Sequence, residues 1–100
     1  MSRYSVSPQA VDDLFEIWRL IARDDEEVAD RVESEFYELF DTLGRMPGLG
    51  HQRSDLTRNK VLFFPLYSYL IVYQPGVNPI RIVTIIHGRR NVKRVLKERL

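Results

Sequence analysis

The sequence predicts an α+β fold in which a helical hairpin packs on a small antiparallel β-sheet, followed by a short basic C-terminal helix. Two observations lead to this prediction. Apolar residues recur at intervals of three and four in the first half of the chain, whereas the second half contains short runs of β-branched and aromatic residues with a period of two. With 100 residues, the chain is expected to form one domain over residues 1–100.

The first helix is predicted to begin at Ser7-Pro8, where serine can cap the helix and proline suits the first helical position. Its apolar residues share one stripe, which we expect to be buried. This stripe comprises Val11, Leu14, Phe15, Trp18, Ile21 and Ala22.

A run of acidic residues, 24–27, then interrupts the stripe and predicts the start of a second helix, because Asp24 followed three residues later by Glu27 resembles a capping box. This helix is expected to end near Gly44. Its apolar stripe comprises Val28, Val32, Phe36, Leu39, Phe40 and Leu43. The connection between the helices is so short that they must form an antiparallel hairpin.

Three strands in a meander are predicted after a loop that extends to Asn59, at Val61–Phe64, Tyr69–Tyr73 and Ile80–His87. Alternation along the last strand places Ile80, Ile82, Thr84 and Ile86 on one face. Both faces of the sheet are largely apolar, so we expect the hairpin to cover one face and the C-terminal helix to cover the other in part.

The C-terminal helix is predicted to start at Asn91, a suitable cap. Its apolar stripe comprises Val92, Val95, Leu96 and Leu100. The remaining positions around it are strongly basic: Arg89, Arg90, Lys93, Arg94, Lys97 and Arg99.

The composition excludes several classes of protein. The chain has no cysteine, which excludes a disulfide framework, a thiolate metal site and a cysteine nucleophile. Its longest apolar stretch, Val61 to Tyr73, is much shorter than the roughly 20 residues that span a bilayer. The first residues lack the apolar region of a signal peptide. We therefore expect a cytoplasmic protein that does not bind a membrane.

The charge is divided unequally, although the net charge is only +1. Residues 1–43 contain four basic and twelve acidic side chains, whereas residues 44–100 contain eleven basic and two acidic ones. A positive half of this size predicts an anionic partner, such as nucleic acid or an acidic protein segment. The alternative is that the protein's own acidic half neutralises it.

No metal site or cofactor is expected, because His51 and His87 are far apart and lack further ligands at suitable spacing. The basic side chains could instead serve RNA cleavage, with Lys60, Arg81 and His87 as phosphate clamp and proton-transfer groups. The structural alternative for His87 is a strand-end residue that is hydrogen-bonded to the backbone.

Several short sequence motifs, taken in their order along the chain, resemble those of the RelE/ParE superfamily of type II toxins. The resemblance is greater to its ParE branch than to its RelE branch. They are YSVSPQA at residues 4–10, residues 13–14 and 17–18, Pro47 with Gly50, YLIVY at residues 69–73, and IIHGRRN at residues 85–91. The resemblance implies a hairpin on an antiparallel sheet, a cognate ParD-like antitoxin, and inhibition of DNA gyrase. RelE-type nucleases carry a tyrosine near the C-terminus, and this chain has none after Tyr73.

The first functional hypothesis is therefore a toxin that catalyses no reaction and binds gyrase or gyrase-bound DNA. Its target-binding residues are predicted to be Arg58, Arg81, His87, Arg89 and Arg90. The second hypothesis is a ribosome-dependent mRNA endonuclease that uses the alternative catalytic set given above. A third is a family member whose only activity is antitoxin binding.

All three hypotheses include a toxin–antitoxin hetero-oligomer, since an acidic, partly disordered partner could fold on the apolar hairpin and the positive half. The residues predicted to contact the antitoxin are Leu14, Trp18, Phe36 and Phe40. A partner helix laid along the hairpin and a strand added to the sheet edge both remain open at this point.

Overall fold

The computed structural model describes residues 2–100. It has three α-helices and a four-stranded mixed sheet, so the predicted α+β fold class is confirmed. A single 3₁₀ turn at Pro47–Leu49 follows the second helix. The elements in chain order are β1 (Tyr4–Val6), α1 (Pro8–Ala22), α2 (Glu26–Arg45), β2 (Leu62–Leu66), β3 (Tyr69–Gln74), β4 (Ile80–His87) and α3 (Val92–Arg99).

Each helix starts at a side-chain cap. The Ser7 hydroxyl accepts a hydrogen bond from the Ala10 N–H at 3.0 Å, and Asn91 likewise caps α3. The cap of α2 is Asp25, not the predicted Asp24. The N–H groups of Asp24 and Asp25 both bond to the C=O of Ile21 in the terminal turn of α1. The backbone is extended at Asp25, and this places its carboxylate where it accepts from the N–H of Val28.

The sheet order is β1-β4-β3-β2, and the predicted meander forms its antiparallel part. Strand β1, which was not among the predicted elements, pairs in parallel with β4. Strand β2 continues beyond its predicted end at Phe64 to Leu66, and therefore includes Pro65. Proline is tolerated there because β2 is an edge strand, and the missing N–H faces away from β3.

The outer edge of β2 is largely closed. His51 forms an isolated antiparallel bridge with Phe63, in which each residue donates its N–H to the other's C=O at 2.8 Å. The next residue on that edge, Pro65, has no N–H to offer. At the opposite edge, the N–H and C=O of Tyr4 both bond to the Ser2 hydroxyl.

Both faces of the sheet are covered. The hairpin packs on one face and forms the larger core cluster with β3 and β4. Helix α3 packs on the opposite face, as predicted, and buries Val92, Val95 and Leu96 against Val72 and Ile86. The sheet therefore has no open apolar face along these strands, and partners must bind to the helices, loops or edges.

The predicted face assignment along β4 is wrong beyond its middle. Ile80 and Ile82 share one face as expected, and this face lies in the hairpin core, but Ile85 joins them there and Ile86 lies against α3. The cause is a β-bulge: Val72 pairs with Thr84 and Tyr73 with Ile82, which leaves Val83 as an extra residue. A bulge exchanges the two faces for all residues that follow it.

The predicted buried stripe of α1 is also wrong in part. Ala10, Leu14 and Ile17 form its buried face, whereas Val11 is 48% exposed and Phe15 is 58% exposed. Helical spacing places a second apolar face beside the buried one. The sequence pattern could not distinguish these two faces, because both are apolar.

Tyr73 anchors the segment after α2 to the sheet. Its side chain is fully buried, and its hydroxyl donates to the C=O of Pro47 and accepts from the N–H of Gly50, each at 2.8 Å. A Cβ on Gly50 would lie 2.6 Å from this hydroxyl, so glycine is required for the close approach. Burial raises the pKa of Tyr73, while the bond from Gly50 opposes the shift.

We expect Tyr73→Phe to lower the free energy of unfolding by about 1–2 kcal/mol, because two backbone groups lose their partner. Since the folded pKa of Tyr73 is raised, its contribution is fully present below the unfolded pKa of about 10 and is lost as pH rises through the folded pKa. Urea unfolding at pH 8 to 11 should show a steeper alkaline decline for the native protein than for Tyr73→Phe. An equal decline in both would contradict the assignment. Tyr69→Phe is the control, since the Tyr69 hydroxyl makes no hydrogen bond within residues 2–100.

Candidate interaction surface

Most of the positive charge in the second half is not neutralised internally. Three of its eleven cations form ion pairs: Arg45 with Asp41, Arg53 with Asp55, and Arg99 with Asp13. The other eight are exposed and form no ion pair within residues 2–100. They are Arg58, Lys60, Arg81, Arg89, Arg90, Lys93, Arg94 and Lys97. The predicted positive surface is therefore present on the folded protein.

A hydrogen-bonded network fixes the position of α3. Arg99 on α3 donates to both carboxylate oxygens of Asp13 on α1 at 2.8 Å, and also to the hydroxyl of Thr84 on β4. The Asp13 carboxylate also accepts from the Thr84 hydroxyl at 2.8 Å and from the backbone N–H of Ile85 at 2.9 Å. The side chains of Asp13 and Arg99 are only 13% and 18% exposed. These contacts join three elements around one carboxylate.

Because α3 is docked by its apolar side, its other side carries cations outward. Lys93 and Lys97, one turn apart, line a cavity of about 330 Å³ together with Arg58 from the loop before β2. Arg89 and Arg90 are exposed in the turn between β4 and α3. We call these six residues the cationic face: Arg58, Arg89, Arg90, Lys93, Arg94 and Lys97.

One carboxylate borders this cavity, and it is already neutralised. Arg53 donates two hydrogen bonds to Asp55, at 3.0 and 2.9 Å. The hydrogen bond from Arg53 lowers the pKa of Asp55, so the carboxylate is charged at neutral pH and paired with its neighbour. The charge of Lys93 also lowers the pKa of Asp55, so the carboxylate interacts with two cations and leaves the charges of Arg58 and Lys97 available.

His87 holds the turn that carries two of these arginines. Its Nδ1 accepts a hydrogen bond from the backbone N–H of Arg89 at 3.1 Å, and its ring lies edge-on to Tyr69 with centroids 5.1 Å apart. This is the structural alternative considered for His87, a strand-end residue bonded to the backbone. His87 and Arg90 also line the same cavity, which has a volume of about 300 Å³.

The three residues of the nuclease hypothesis are not assembled into one site. Lys60, Arg81 and His87 line three different cavities. Arg81 and His87 lie near opposite ends of β4, about 20 Å apart at the rise of an extended strand. General acid–base chemistry on one phosphate requires its groups within hydrogen-bond reach of the same atoms, and this arrangement does not supply it. Residues 2–100 also contain no cluster of three or more side chains that could hold a metal ion.

Three of the four residues predicted to contact the antitoxin are in the core. Leu14 is 3% exposed, and Phe36 and Phe40 are fully buried against the sheet, so their side chains have no surface to offer a partner. Trp18 is partly exposed and donates through Nε1 to Asp30 on α2 at 2.8 Å. The accessible apolar residues on the same side of α1 are Val11 and Phe15.

Some residues of the interaction surface have no recognisable signal in the sequence. Nothing in the pattern linked Asp13 to Arg99, which are 86 positions apart. Thr84 offered a signal, since it is the one hydroxyl residue of β4 and lies within the otherwise apolar run 82–86. A buried hydroxyl requires a hydrogen-bond partner, and here that partner is the network beneath α3.

None of the helices in residues 2–100 is long and apolar enough to cross a membrane. Two comparisons with known proteins bear on the identity of the chain. A search of curated proteins found no match to the chain. The family model described as the ParE toxin of the type II toxin–antitoxin system parDE matches residues 4–92, which include every strand, both helices of the hairpin and the start of α3. The chain therefore belongs to the ParE toxin family of type II toxin–antitoxin systems.

Proposed function

We propose that this protein acts in the cytoplasm as a toxin that inhibits DNA gyrase by binding, through the cationic face, to gyrase or to gyrase-bound DNA. The observation that carries the proposal is the grouping of six exposed cations without ion pairs on α3, the turn before it and the loop that faces it. Such a surface attracts an anionic macromolecule over several ångströms. It requires no catalytic group.

The composition of α3 supports a binding role for this surface. Lys93 and Arg94 occupy its first turn, which contains no acidic residue. Cations there oppose the positive end of the helix dipole and cost stability, whereas the first turn of α2 carries the favourable Glu26 and Glu27. Positions where a local rule is broken in this way are typical of functional sites.

Two assays on the purified toxin test the target. We expect the protein to inhibit DNA supercoiling by gyrase and to leave transcripts intact in a ribosome-dependent translation mixture. Transcript cleavage without gyrase inhibition would instead support the nuclease hypothesis. A protein inactive in both assays, but bound to its antitoxin, would support the third hypothesis.

We also propose that the antitoxin places a helix along the apolar stripe of α1, formed by Val11, Phe15 and Trp18. These residues lie at helical spacing on one accessible face. Addition of a strand to the sheet is less well supported, because His51 already occupies the edge of β2 at Phe63. An amphipathic partner helix buries such a stripe without any free strand edge.

We expect Phe15→Asp to prevent copurification of the toxin with the antitoxin encoded beside it, because a carboxylate would be buried in an apolar contact. The fold should be retained, since Phe15 is 58% exposed. Leu20→Asp is the matched control: Leu20 is 49% exposed on the same helix but lies on a different face. Loss of the complex in both variants, or in neither, would argue against this stripe as the docking site.

A further inference from the structure

A second polar site lies apart from the cationic face. It is a cavity of about 430 Å³ between the start of α1, the bulged part of β4 and the end of α3. This volume falls within the range of small-molecule sites. None of the six residues of the cationic face lines it. The polar side chains around it are Ser7, Gln9, Asn59, Gln74, Arg81 and Arg99.

The side chains that line the cavity carry a net positive charge. No acidic side chain lines it. Arg81 is exposed and its side chain makes no hydrogen bond or ion pair within residues 2–100, so its charge is free. The charge of Arg99 is balanced by Asp13, although this pair engages only one of its terminal nitrogens. The one unpaired charge among these side chains is therefore that of Arg81.

Three carboxamides complete the lining. The side chains of Gln9, Asn59 and Gln74 form no hydrogen bond within the described residues 2–100, although all three face one cavity. A carboxamide both donates and accepts, and therefore suits hydroxyl groups and the edges of a base. A guanidinium pairs with a phosphate through two parallel N–H donors.

We propose that this cavity binds a small phosphate-bearing molecule of the size of a nucleoside monophosphate. Arg81 binds the phosphate, and the carboxamides of Gln9, Asn59 and Gln74 bind the polar groups of the nucleoside. The ligand bridges α1, the loop before β2, β3 and β4, and so it stabilises the fold when bound. The proposal is independent of the toxin's target, because the site shares no residue with the cationic face.

Thermal unfolding of the full chain with added AMP, sodium phosphate or adenosine, each at the same ionic strength set with sodium chloride, tests the site. AMP near saturation should raise Tm by about 5 °C or more, phosphate should raise it less, and adenosine should have no effect. No change with AMP would overturn the proposal. An equal effect of phosphate and AMP would refute its nucleoside part.

Single-residue variants test whether the rise in Tm caused by AMP comes from binding in this cavity. Arg81→Gln removes the free charge. Gln9→Glu places a carboxylate at the cavity and leaves the fold intact, because an acidic residue is favoured in the first turn of a helix. Both should lose the response to AMP, whereas Arg94→Gln, which removes an exposed arginine outside the cavity, should keep it. Equal loss in Arg94→Gln would indicate nonspecific binding of anions and overturn the proposal.

Amide chemical shifts provide an independent readout. On addition of AMP, the largest changes should fall on the residues that line the cavity, including Gln9, Asn59, Gln74 and Arg81. Changes concentrated instead on Lys93, Arg94 and Lys97 would place the nucleotide on the cationic face and contradict a separate site.

Discussion

Replacement of Asp13 by alanine is expected to lower the free energy of unfolding by about 3 kcal/mol. The carboxylate accepts hydrogen bonds from Arg99, Thr84 and the Ile85 backbone. Its removal leaves a guanidinium that is only 18% exposed without a counterion. The cost of losing one partner from such a pair exceeds the net value of the pair itself, because the remaining charge stays poorly solvated.

Urea unfolding followed by circular dichroism measures this effect. Asp12→Ala is the control, since Asp12 is an exposed neighbour that forms no ion pair within residues 2–100. The double variant Asp13→Ala with Arg99→Met should be more stable than the sum of the two single losses implies, because the unpaired charge is absent. If Asp13→Ala is no more destabilising than Asp12→Ala, the network does not hold α3 in place.

The second prediction with a large expected effect concerns inhibition of gyrase. Replacement of both Arg89 and Arg90 by alanine should weaken gyrase inhibition about tenfold or more, since two charged contacts of about 0.7 kcal/mol each correspond to that factor. The supercoiling assay measures it as a rise in the half-inhibitory concentration. Unaltered inhibition would exclude these arginines from target binding.

Lys93→Glu separates binding from stability. It should weaken gyrase inhibition, yet raise the free energy of unfolding by about 0.3–1 kcal/mol, because an acidic residue then occupies the first turn of α3. A misfolded variant cannot produce both results. Lys60→Glu is the control, since Lys60 is an exposed cation outside the cationic face. Equal weakening of inhibition by both variants would indicate a diffuse charge effect.

The helices could be predicted closely because their signals are local. Ser7 and Asn91 cap where expected, and the apolar spacing of α2 corresponds to its buried side. Strand β1 was missed because three residues show no period, and its pairing with β4 is a long-range event. The side chains of β4 that face each side of the sheet are determined by a bulge at Val83, and no residue type in the sequence indicates that bulge.

The interaction surface was predicted in its charge but not in its arrangement. The excess of cations after residue 43 is a property of composition, so it could be read directly. Tertiary contacts decide which cations remain unpaired on this surface. Arg99 forms an ion pair with Asp13, and Arg81 lines a separate cavity. Burial likewise decided the antitoxin residues, since Phe36 and Phe40 face the sheet.

The closed margins of the sheet affect how the toxin behaves alone. Exposed strand margins recruit further chains and seed fibrils. Here one outer strand, β2, is bridged by His51 and interrupted by Pro65. The other outer strand, β1, has only three residues, and the backbone of Tyr4 in it is hydrogen-bonded to the Ser2 hydroxyl. A toxin separated from its antitoxin should therefore remain dispersed at concentrations where a comparable open sheet would precipitate.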